Sequence, residues 1–129
     1  MYKEDDPQIT LAEFYSPFGN LNPDNRWVKI ADSIPWQQYE KEYAKQFSRK
    51  SGAPAIKFRM AMGTLLIKKR TGLSDKETMR AIYENPYMQY LIGLHEFASA
   101  VPFSASSITN FRKYIAKDTI KDIIREIKT

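Results

Sequence analysis

The chain contains no cysteine and only one histidine, His95. A disulfide framework, a cysteine-ligated zinc finger and a thiol nucleophile are therefore excluded, and so is a histidine-rich metal site. No apolar run approaches the roughly 18–20 residues that span a bilayer. The opening stretch, Met1 to Asp6, is polar and acidic, the wrong chemistry for a signal peptide. A soluble, cytoplasmic protein is the expectation. The strict apolar–polar alternation of half-buried strands is missing as well, as are internal repeats and low-complexity runs.

What is present is enough material for one core. Of 129 residues, 43% are hydrophobic and 13% aromatic, a balance that argues for a folded domain rather than a disordered tail. The net charge of +5 is unevenly spread. Residues 1–46 hold five Lys/Arg against eight Asp/Glu, whereas residues 47–129 hold fifteen against seven. A basic C-terminal two-thirds fits a polyanionic partner, although the same balance also serves solubility. No cofactor or metal is called for, although counting alone leaves room for a carboxylate-only magnesium site.

Periodicity and capping signals predict an all-α fold: a bundle of about six short helices with a helix-turn-helix-like arrangement. Residues 1–22, with Pro7, Pro17, Gly19 and Asn20, read as an irregular N-terminal arm, and residues 23–129 as the helical domain. Asn22-Pro23-Asp24 marks a first helix start, running to Ser33. A second helix, from Ile34-Pro35-Trp36 to about Phe47, offers Trp36, Tyr39, Tyr43 and Phe47 for packing, alongside Trp27 and Ile30 of the first. Ser48 to Pro54 reads as a linker. From Pro54 to Thr71 a central helix is expected, buried on several sides because Met60 to Ile67 is apolar nearly all round. It closes on Lys68-Lys69-Arg70 and stops at Gly72. Ser74 and Glu77 form a capping-box pair for the next helix, which ends before Pro86. A short apolar helix to Leu94, a loop from His95 to Phe103, and helices over Ser104–Ala116 and Asp118–Lys128 complete the series. Ile108, Phe111 and Ile115 line one face of the penultimate helix; Ile120, Ile123, Ile124 and Ile127 form a stripe on the last at i, i+3, i+4, i+7.

The penultimate helix carries the parts that docking on duplex DNA requires. A recognition helix presents small hydrogen-bonding side chains near its N-terminal end to base edges. Ser104, Ser106, Ser107, Thr109 and Asn110 stand there, and asparagine can pair two-pronged with adenine. Arg112, Lys113 and Lys117 supply cations for phosphates, with Lys68, Lys69 and Arg70 as a second-rank cluster. The plainer reading is that the serines are caps and the cations a solvated face.

Several blocks resemble a known family in order and spacing. Gly72-Leu73-Ser74-Asp75-Lys76-Glu77 is similar to the "GLSDRE" block of the transposase InsH-like N-terminal domain of bacterial insertion-sequence (DDE-type) transposases. Tyr90 to Leu94 resembles its "RWFLGL" segment. Val101-Pro102-Phe103-Ser104 to Ser107 with Phe111-Arg112-Lys113 resembles its "VPDHSTLSRFRKRL" block, with Phe103 and Ser104 replacing the aspartate and histidine. The likeness runs from about Phe14 to Ile115 and is strongest from Ala53 to Lys113. It implies a bacterial domain that recognises transposon-end DNA and positions a separate RNase H-like catalytic domain, which uses three acidic residues and two metal ions. This domain is then not an enzyme by itself, and the chain, stopping where that catalytic domain would begin, reads as a fragment or truncation. Asp118, Asp122 and Glu126 lie four apart on one helical face, suited to pairing with Lys121, Arg125 and Lys128.

Other residues invite bland readings. His95 beside Glu96 reads as a surface histidine, Trp27 and Trp36 as core rather than base-stacking platforms, and Met60, Met62, Met79 and Met88 as packing residues. The isoleucine stripe of the last helix either folds back on the bundle or forms a homodimer contact. The rival to DNA binding is accordingly a helical oligomerisation module with incidental DNA contact. A nuclease centred on Asp118 or Asp122 is the third option.

Overall fold

The structure is a computed structural model that describes residues 9–45 and 56–127. Seven α-helices occupy the described residues: α1 (Arg26–Ser33), α2 (Trp36–Ala44), α3 (Phe58–Thr71), α4 (Asp75–Glu84), α5 (Pro86–Leu91), α6 (Ala105–Tyr114) and α7 (Lys117–Glu126). One 3-10 turn, Leu11–Glu13, precedes them. No strand is formed among the described residues, only an isolated bridge between Tyr15 and Glu96. The all-α bundle expected from periodicity is therefore present. Phe47, the linker Ser48–Pro54 and Lys128 lie outside the described residues.

α3 is the hub because it has no polar face to turn outward. Ten consecutive residues, Phe58 to Ile67, are buried, and α2, α4, α5 and α6 all pack on it. The closest approach is at Gly63, where a Cβ would stand 3.1 Å from Ile92 Cγ2 and 3.2 Å from both Ile92 Cα and Leu91 O. α3 ends as its sequence requires: the cations at 68–70 sit in the last turn, and Gly72 adopts φ +71°, a left-handed cap that closes the helix without steric cost.

Local signals fix the other ends. The Ser74 hydroxyl accepts from Glu77 N at 3.1 Å, a cap of the kind that contributes about 1 kcal/mol. The Asn85 side chain accepts from Tyr87 N and Met88 N, and Pro86 sits at the first position of α5. α1 starts later than Asn22-Pro23-Asp24 predicts. The Asn22 side chain accepts instead from Asp24 N at 2.9 Å, making a turn, and Asn25 takes over as cap, accepting from Trp27 N at 2.8 Å.

Two buried polar side chains organise the apolar core. Arg59, near the start of the α3 run, donates to Leu91 O at 3.0 Å and Tyr90 O at 2.8 Å, two carbonyls at the C-terminal end of α5. Its guanidinium lies over the rings of Trp36 and Tyr90, at 5.1 and 5.3 Å from their centroids. Gln89 is fully buried. Its amide donates to Ile82 O at 3.0 Å and Ala98 O at 2.9 Å and accepts from Ala98 N at 2.7 Å. It thereby ties the α5–α6 loop to α4.

The described part of the arm, residues 9–22, holds one 3-10 turn and is docked on the bundle. Phe14 is buried against the edge of Tyr90. Tyr15 N donates to His95 O, and Phe97 N donates to Tyr15 O. The isoleucine stripe of α7 folds back on its own bundle: Ile123 is fully buried, and Ile120, Ile124 and Ile127 are partly buried against the core. A homodimer through this stripe would have to use the outer edges of those three, because Ile123 is covered by its own chain.

Candidate nucleic-acid interface

α6 is held by its apolar face and presents the rest to solvent. Ile108, Phe111 and Ile115 are buried, and Phe111 packs edge-on against Phe103 at 5.3 Å between ring centroids. α6 contacts both α3 and α4, which also contact each other, so the three make a trihelical unit. The approach to its N-terminus is fixed by the Gln89–Ala98 hydrogen bonds and by the Phe18–Phe97 ring contact at 5.0 Å. A helix positioned this way loses little further conformational freedom when a ligand meets it.

On the outer side, Ser106, Thr109, Asn110, Arg112 and Lys113 are exposed, and Lys117 at the start of α7 is exposed beyond them. Ser106, Asn110, Lys113 and Lys117 recur at steps of four, three and four. Among the described residues, Arg112, Lys113 and Lys117 have no ion-pair partner, and the stretch 97–117 contains no carboxylate. The segment that carries α6 is thus positively charged, and the next carboxylate after it is Asp118 in the first turn of α7.

The serines divide by role. Ser104 is the N-cap residue. Its backbone N–H donates to Ser107 Oγ at 3.2 Å, so the Ser107 hydroxyl helps close the helix end. The Ser106 hydroxyl lies 2.9 Å from that of Ser104 and is exposed. Of the three serines, Ser106 is the best placed to meet an external ligand.

The second basic cluster divides similarly. Lys68 is half-buried, bridges Asp75 at 2.6 Å and donates to Leu73 O at 3.3 Å, fastening the α3–α4 turn. Lys69 and Arg70 are exposed. A groove of about 460 Å³ joins this cluster to α6. It is lined by Met62, Leu65 and Leu66 of α3, Leu73 of the turn and Ile120 of α7, with Lys68, Lys69 and Arg112 at its polar margin. Lys69 and Arg112, 43 positions apart in sequence, therefore face one space. No periodicity signals such a meeting; it follows from α6 lying across α3.

The remaining chemistry-bearing residues are elsewhere. His95 is exposed, with its carbonyl bonded to the arm. Trp27 and Trp36 are buried, and Trp36 Nε1 donates to Ala31 O at 3.0 Å. All four methionines assigned to packing are buried. Asp122 pairs with Arg125 at 3.4 Å. Asp122 and Glu126 also lie near Tyr39 of α2, whose phenol pKa is raised chiefly by burial and further by these two carboxylates. Among the described residues, no three His, Cys, Asp or Glu side chains converge as metal ligands. No described helix is long and apolar enough to cross a membrane.

Comparison with known proteins places this arrangement in a family. Residues 16–114 match the family described as Transposase domain (DUF772), a span that takes in the end of the arm, the hub and the whole of α6. A similar protein from Rhizobium meliloti, described as "Uncharacterized protein ORF8 in nfe locus", is 31% identical over 105 residues, covering 81% of this chain and 50% of the relative. The chain thus spans about half the length of that relative. No solved structure matches. The family match covers the Gly72–Glu77 block, the α5–α6 loop and the exposed face of α6 together, and on that ground the chain belongs to the DUF772 family of transposase domains.

Proposed function

We propose that this domain binds double-stranded DNA at transposon ends through the exposed face of α6, and so positions a separate catalytic domain for DNA transposition and recombination. One observation carries the reading: Arg112 and Lys113 stand exposed and, among the described residues, without ion-pair partners beside Asn110 and Ser106 on α6, with Lys117 exposed beyond them at the start of α7. The trihelical packing of α3, α4 and α6 supports a helix-turn-helix-like docking mode, in which α6 enters the major groove. Asn110 and Ser106 read base edges, and the three cations, with Lys69 and Arg70 beyond them, grip phosphates. In this reading the domain supplies recognition and no catalytic residue. The metal-binding carboxylates of DDE chemistry belong to another domain.

The test is an anisotropy titration of the chain against a labelled duplex bearing the terminal repeat of its element. The Arg112→Ala/Lys113→Ala double variant should bind more weakly to the terminal-repeat duplex and to a scrambled one alike, because the contacts it removes are to phosphates. Asn110→Ala should narrow the difference between that duplex and a scrambled one. Unchanged affinity in the double variant would favour the oligomerisation module instead.

A further inference from the structure

The groove between α3, the α3–α4 turn, α6 and α7 combines an apolar floor with a cationic margin. At about 460 Å³ it falls within the roughly 300–1,000 Å³ of pockets that enclose ligand groups. Its floor is chemically wrong for a nucleic acid backbone: Met62, Leu65, Leu66, Leu73 and Ile120 offer only hydrocarbon and thioether. Its margin is wrong for a neutral apolar ligand, because every charged group lining it is a cation. Lys68 is already committed to Asp75, whereas Lys69 and Arg112 have no ion-pair partner among the described residues. Gly72, at the rim, has open space where a Cβ would stand, so the entrance is not closed by the turn.

We propose that this groove docks an acidic amphipathic peptide segment, with its apolar side chains against Leu65, Leu73 and Ile120 and its carboxylates on Lys69 and Arg112. Charge complementarity selects this occupant: hydrocarbon alone leaves two cations unanswered, and phosphate alone leaves the floor empty. Because Lys69 and Arg112 are also among the cations assigned to DNA phosphates, the occupied groove withdraws two cations from DNA. That consequence rests on the DNA-binding reading; the docking itself does not.

The probe is a synthetic helical peptide that alternates leucine pairs with glutamates, titrated into the isotope-labelled chain without DNA. Methyl and amide shifts are expected at Leu65, Leu73 and Ile120 and not on the α2 surface. Replacing the peptide's glutamates by glutamine, or its leucines by alanine, should each weaken binding at least tenfold. Lys69→Glu should do the same, and because Lys69 is exposed this change leaves the core intact. Leu73→Gln, with its fold checked by circular dichroism, supplies an independent variant. Equal binding of all three peptides, or shifts confined to the outer face of α6, would overturn the proposal. So would a short duplex producing the same methyl shifts as the peptide, which would assign the groove to DNA. Peptide binding without duplex binding would sink the DNA reading and leave this one standing.

Discussion

Replacing Gln89 by leucine tests whether the approach to α6 is set by one buried amide. Leucine has nearly the same bulk, so the core keeps its volume and the loss is polar. Three hydrogen bonds disappear: to Ile82 O, to Ala98 O and from Ala98 N. Ile82 O keeps a second donor, Asn85 N at 3.4 Å, so its loss is small. Ala98 loses both partners, and as it is only half-buried, water answers part of the deficit. A buried group left unsatisfied costs roughly 1–3 kcal/mol; with that partial relief, the variant should lose about 2 kcal/mol. For a domain of this size about 3–4 °C of Tm accompanies each kcal/mol, which gives a fall of about 7 °C. Thermal unfolding followed by helical circular dichroism reads this directly. Amide hydrogen exchange adds the local signature, since Ala98 N–H should lose protection more than amides of α3 do. A Tm within about 2 °C of the parent, with Ala98 still protected, would refute the claim that Gln89 fastens the loop.

Gly63→Ala should destabilise by about 1–3 kcal/mol in urea titrations, because the new Cβ meets backbone atoms of Leu91 and Ile92 that cannot swing aside. A Ser74→Ala change should cost about 1 kcal/mol by the same assay, through loss of the α4 cap. Tyr90 is buried and donates to Asp32 Oδ1 at 2.8 Å, and its phenol pKa is pushed up to about 12, mainly by burial. The folded state therefore favours the protonated phenol. That stability is fully present below the ordinary tyrosine pKa near 10 and is lost as pH rises toward 12. Ultraviolet titration of tyrosinate should show Tyr90→Phe removing a late-ionising phenol; an unchanged late phase would contradict the assignment.

Much of the fold was legible because its boundaries are written in local chemistry. Ser74 with Glu77, Asn85-Pro86, and Lys68-Lys69-Arg70 before Gly72 each act within one turn of where they stand. The apolar faces of α3 and α6 were equally readable, since burial follows periodicity. The start of α1 was not, because Asn22 and Asn25 are equally good caps and only tertiary packing chooses between them. Periodicity also sends polar residues outward, so it is blind to Arg59 and Gln89, which are buried because backbone carbonyls of other elements await them. For the candidate site, exposure of Ser106, Asn110, Arg112 and Lys113 followed from the buried positions between them. The capping engagement of Ser107, the Lys68–Asp75 bridge and the shared groove of Lys69 with Arg112 depend on three-dimensional neighbours, which spacing does not encode.

The central claim, that the cations of α6 meet DNA phosphates, is most directly tested by the salt dependence of duplex binding. Each phosphate neutralised contributes a slope of about −0.9 to log K against log salt. With Lys69, Arg70, Arg112, Lys113 and Lys117 engaged, the parent chain should show about −4.5, and the Arg112→Ala/Lys113→Ala variant about −2.7. Equal slopes in the two proteins, or no salt-dependent binding by the parent, would contradict the account.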